Sequence, residues 1–109
     1  MVSEQVQQLI MQAQAYQQQL QVVATQKEAL NLQMIEMGKA LEELSRPSKE
    51  DVYKIIGPVL VKVKRAEAKR DLESKIELIT LRMKTLEKSG SKLKENLDEL
   101  RDKLSKAGD

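Results

Sequence analysis

The sequence predicts a mainly α fold: a long antiparallel two-helix coiled coil with one β-hairpin between the helices. The hairpins of several copies are expected to join into a larger sheet or a β-barrel in the oligomer. Three observations predict this. Two heptad-spaced apolar runs occupy most of the 109 residues. Two β-branched runs split by Gly57-Pro58 lie between them. Phe, Trp and Cys are absent and 33% of residues are charged, so the chain lacks the aromatic content of a compact core and suits long helices instead.

The first helix is read over residues 1–45. Val6, Leu9, Ala13, Tyr16, Leu20, Val23, Lys27, Leu30, Met34, Met37, Leu41 and Leu44 advance by alternating threes and fours. Heptads sustained over about four repeats or more specify a coiled coil rather than an ordinary amphipathic helix. Lys27 is the one charged member. Its aliphatic stem is expected to cover the seam while the ammonium reaches water.

Residues 46–64 form the linker and hairpin. Pro47 cannot continue a helix and restricts Arg46 before it. Val52-Tyr53-Lys54-Ile55-Ile56 and Val59-Leu60-Val61-Lys62-Val63 read as strands, and a two-residue turn opening on Gly joins them. The second helix is read over 65–106, starting near Arg65 without a Ser, Thr or Asp cap. Its seam runs Leu72, Ile76, Ile79, Met83, Leu86, Gly90, Leu93, Leu97, Leu100 and Leu104. Gly90 is the gap in that seam, expected opposite Leu20 at a cost of about 1 kcal/mol relative to Ala. All these elements belong to one domain, 1–109.

The short connection folds the helices back as an antiparallel pair, which sets Leu32 level with Leu78, with Ile35 and Leu81 about one turn away. All four lie outside the seam. A lone two-stranded hairpin is marginal in water and its edges are unpaired. Both features predict an oligomer. At the helix ends, Val6, Leu9, Ile10, Met11 and Ala13 face Leu97, Leu100 and Leu104. Two readings stand side by side: these residues offer apolar surface to a partner, or they simply close the coil.

Composition narrows the chemistry. With no Cys and no His there is no thiol nucleophile, Ser-His-Asp triad, zinc finger or imidazole ligand. Neither an EF-hand loop nor a Gly-rich phosphate cradle is present. The expectation is no enzyme, no cofactor and no metal. A net charge of +2 from interleaved signs disfavours nucleic acid. No apolar run approaches the roughly 18 residues of a membrane span, and no signal-peptide pattern opens the chain, so a location inside the cell and off the membrane is expected.

The chain resembles the β-class subunit of prefoldin, the archaeal and eukaryotic cytosolic co-chaperone. Three segments carry the resemblance: Tyr16-Gln17-Gln18-Gln19-Leu20-Gln21, Lys39-Ala40-Leu41-Glu42-Glu43-Leu44, and Val52 through Lys62. A single hairpin matches the β class, because the α class carries a second one. The resemblance implies a heterohexamer of two α-class and four β-class subunits in the cytoplasm. It further implies an ATP-independent holdase that grips non-native polypeptides at the coil tips and delivers them to a group II chaperonin. Carried onto this chain, the gripping surface is Val6, Leu9, Ile10, Met11, Ala13, Leu97, Leu100 and Leu104. The assembly surface is Val52, Tyr53, Ile55, Ile56, Val59, Leu60, Val61 and Val63. The rival reading is a structural coiled-coil tether without chaperone activity.

Overall fold

A computed structural model describes residues 3–107 of the chain. Helix α1 spans Glu4–Ser45, strands β1 and β2 span Val52–Ile56 and Val59–Val63, and helix α2 spans Arg65–Ala107. Ser3 starts α1. Its hydroxyl oxygen accepts from the Val6 amide at 3.2 Å and its carbonyl from the Gln7 amide at 3.0 Å, while Glu4 complements the positive helix end. The Ser45 hydroxyl donates back to the Leu41 carbonyl at 2.8 Å, and Pro47 then prevents another turn.

The strands pair antiparallel, with Val52 opposite Val63, Tyr53 opposite Lys62, Lys54 opposite Val61, Ile55 opposite Leu60 and Ile56 opposite Val59. Gly57 takes a positive φ of 56°, and the Pro58 ring holds its own φ near about −65°. A positive φ followed by a negative one is the II′ turn, whose twist matches that of the flanking strands.

The chain resolves into two compact units. The hairpin unit is Leu30–Arg82, and the stretches of α1 and α2 outside those limits make the terminal unit. In each unit the half-buried positions of α1 are those of the heptad run, with Gly38 added. No residue of α1 is fully buried. The apolar core is therefore a seam, and its buried members all lie on α2: Ile79 in the hairpin unit, Leu97 and Leu100 in the terminal unit. Lys27 is half-buried, as its place in the seam requires. An added Cβ on Gly90 would meet Val23 at 3.4 Å and not Leu20, so the seam register differs slightly from the expected one. Among the described residues, no helix is long and apolar enough to cross a membrane.

Candidate functional site

Period-two alternation sorts the hairpin side chains into two faces. Val52, Lys54, Ile56, Val59, Val61 and Val63 share one, and Tyr53, Ile55, Leu60 and Lys62 share the other. The first face is largely aliphatic, and the second carries the aliphatic pair Ile55 and Leu60 beside Tyr53 and Lys62. Ile55 is 75% exposed, and Tyr53, Ile56, Val59, Leu60 and Val61 are exposed as well, whereas Val52 and Val63 are half-buried. Val52 reaches cover because it borders a recess with Ala40, Leu44, Ala68 and Leu72 of the two helices. The Lys54 ammonium meets the Asp71 carboxylate at 3.3 Å and ties β1 to α2. Both partners are nearly half exposed, so this pair contributes well under about 1 kcal/mol. A second exposed pair, Lys62 with Asp51 at 3.3 Å, brackets the strand ends. The outcome is a two-stranded sheet with apolar side chains presented to water on both sides.

Arg65 ties the end of α1 to the linker that leads into this sheet, a role that the residue pattern alone does not disclose. Its guanidinium donates to the Leu44 carbonyl at 3.2 Å, the Glu50 carbonyl at 3.2 Å and, at longer range, the Glu43 carbonyl at 3.5 Å. The last turn of α1 contains no basic residue of its own. Arg65 supplies the missing cation from the start of the next helix, where the fork geometry of a guanidinium can reach several acceptors at once.

In the terminal unit the candidate gripping residues divide by accessibility. Leu97 and Leu100 are only 4% and 6% exposed and lie in the seam. Val6, Leu9, Ala13 and Leu104 are half-buried, and Ile10 and Met11 are exposed. The closed seam thus accounts for the α2 leucines, while α1 presents the accessible aliphatic surface. Val22 is also exposed on α1. The signal that finds it is a second run of heptad steps, Met11, Ala15, Gln18, Val22, set off from the seam. In the hairpin unit, Leu32, Ile35, Leu78 and Leu81 are all exposed. Leu32 and Leu81 occupy heptad positions directed away from the seam, so the four encircle the helix pair and do not form one face.

Among the described residues, no group of acidic side chains is placed to hold a metal ion. What the chain offers is exposed apolar surface on a helix–hairpin–helix frame. The sequence profile of the family described as Prefoldin subunit matches residues 7–108. The chain is 39% identical to prefoldin subunit beta of Thermococcus onnurineus over 107 residues, which is 97% of this chain and 92% of that one. Its likeness to prefoldin subunit beta of Archaeoglobus fulgidus is 41% over 101 residues, or 92% and 87% of the two chains. The crystal structure of the prefoldin beta subunit from Thermococcus strain KS-1 matches with a TM-score of 0.90 at 39% identity, covering 98% of this chain and 95% of that one. The beta2 subunit from the same strain, at 23% identity and a TM-score of 0.75, shares the fold. The chain belongs to the prefoldin subunit family, and within it sides with the beta class. That family is a chaperone component and not an enzyme family.

Proposed function

We propose that this chain is a β-class subunit of a cytoplasmic hetero-oligomeric holdase, four copies joining two α-class subunits. The observation that carries the assembly is the hairpin with exposed aliphatic residues on both faces, since a single neighbour can cover only one of them. Joined hairpins pair the free strand edges and enclose one face as the interior of a β-barrel, and the other face packs against a neighbouring subunit. The helix ends then grip non-native polypeptides through Val6, Leu9, Ile10, Met11, Ala13, Leu97, Leu100 and Leu104. Ile10 and Met11 are accessible at once, and the seam members become so when the helix ends fray. Several weak contacts on one client act together, so no single arm has to bind tightly. Release requires no ATP and no metal, and the client passes to a group II chaperonin.

Native mass spectrometry with and without an α-class subunit tests the assembly. One hexameric species on mixing is the expected result, and a chain that stays monomeric with every such subunit overturns it. The assembled species should suppress aggregation of a chemically denatured protein without nucleotide and in the presence of EDTA. A rigid tether would leave aggregation untouched.

A further inference from the structure

Within the terminal unit the charges are distributed unequally. Residues 5–26 of α1 carry no charged side chain, while α2 exposes Lys84, Glu87, Lys88, Lys92, Lys94 and Glu95 within the shorter stretch 84–95. On the neutral helix, Ala15, Gln18, Gln19, Val22 and Val23 line a recess that Leu93 of α2 closes from the other side. Ala15 and Val22 are themselves exposed, and Met11, one helical turn before Ala15, is 68% exposed. Glutamines surround the recess, and glutamine can hydrogen-bond a passing backbone without demanding a countercharge.

We propose that this recess is a binding pocket for one apolar side chain of an uncharged stretch of non-native polypeptide, with Met11 packing over the flanking residues. The assignment deepens the holdase reading and rests on it. It places a first contact on the outward flank of α1, accessible before any fraying of the seam leucines. Charge decides the class of ligand: nothing along this stretch of α1 attracts an acidic or a basic segment, and burying a ligand's charge against Val22, Val23 and Leu93 is unfavourable. Area decides between a client and a second copy of the chain. The surface from Met11 to Val23 is about 18 Å long and about 10 Å wide. That is on the order of 200 Å², far below the roughly 800 Å² per partner of a stable association. A transient ligand fits; a permanent subunit contact does not. A methionine one turn along the helix from the recess suits ligands of varied shape, because its side chain is unbranched and adaptable.

The test uses the full chain in its assembled state and a fluorescent synthetic peptide of Leu, Ala and Gln as probe. Val22→Glu should weaken peptide binding by at least about tenfold, which corresponds to about 1.4 kcal/mol. Gln17→Glu, about 140° round the same helix from Val22, makes the same charge change away from the recess and should have no such effect. Ala15→Leu adds apolar surface yet fills the recess, so it should also weaken binding. Affinity should hold between roughly 50 and 500 mM salt, because no ion pair is involved. Tighter binding by Ala15→Leu, equal losses in Val22→Glu and Gln17→Glu, or an affinity that collapses in salt would each overturn the pocket. So would a change in oligomer mass on Val22→Glu, which would show that a second copy occupies the surface. The two readings fail separately. Suppression of aggregation that survives Val22→Glu removes the pocket and leaves the holdase. Peptide binding without any suppression removes the holdase and leaves the pocket.

Discussion

Arg65 donates from its guanidinium to the carbonyl oxygen of Leu44 at 3.2 Å, so the first residue of α2 satisfies the last turn of α1. The same side chain reaches Glu50 in the linker at 3.2 Å, and one residue therefore joins helix end, linker and helix start. Arg65→Ala leaves these acceptors to water and removes the cation from the helix terminus. The expected loss is about 1–2 kcal/mol, combining a charge-assisted hydrogen bond with a helix-dipole term. Arg65→Lys keeps the charge without the fork and should fall between the two. Urea denaturation followed by circular dichroism checks this; equal midpoints for Ala and Arg would show that the clamp is decorative.

Gly90 offers a stabilising substitution. It sits inside α2 with an ordinary helical φ, and a Cβ there would meet the Val23 side chain at 3.4 Å, at the edge of normal contact. Gly90→Ala should raise stability by about 0.5–1 kcal/mol through helix propensity, with a small packing gain against Val23. A lowered thermal midpoint would mean that the helices need the closer approach Gly permits.

The fold was legible because its signals are periodic and local. The three-and-four stepping from Val6 to Leu44 coincides with the half-buried positions of α1, and Gly57-Pro58 dictates a turn of one type only. The role of Arg65 is not legible in the sequence because its partners are backbone carbonyls, which any sequence presents equally; only the chain path brings Leu44 and Glu50 within its reach. The division among the gripping candidates was hidden for a different reason. Leu97 and Ile10 are both aliphatic residues near a helix end, and what separates them is position relative to the seam. Leu97 and Leu100 follow the heptad and are buried, while Ile10 and Met11 fall outside it. The recess at Val22 depends on Leu93 from the other helix, and hence on a seam register that heptad counting placed only to within a turn.

Burial turns Leu97 and Leu100 into a stability test. Leu97→Ala should cost about 2 kcal/mol, the lower end of the usual range, because a two-helix seam can close partly over the gap. Loss of amide protection should be confined to the terminal unit when hydrogen exchange is measured. Met11→Ser removes exposed surface and should leave stability within about 0.5 kcal/mol while weakening client capture. If Leu97→Ala were silent in stability but reduced capture as Met11→Ser does, the α2 leucines would be the direct contact.

Ile55 and Leu60 face each other across the strands on the side of the hairpin that Lys54 and Asp71 do not tie to a helix, and they are the most exposed hydrophobic residues of the sheet. Covering an Ile or Leu side chain completely is worth roughly 1.5–3 kcal/mol, so an assembly that buries both on each hairpin gains several kcal/mol per subunit. Ile55→Lys places a charge where a neighbouring sheet should pack, and burying that charge unpaired is prohibitive. The helices do not depend on Ile55, because their seam lies elsewhere. Helix content should therefore stay constant while native mass shifts to smaller species. Val61→Lys makes the same change on the opposite face, which also carries Val59 and Ile56. Disruption by both variants means that both faces are covered, one inside the barrel and the other against a neighbouring subunit. Disruption by Ile55→Lys alone would mean that the sheet packs on one side only, and intact assemblies in both would move the subunit contact to the helices.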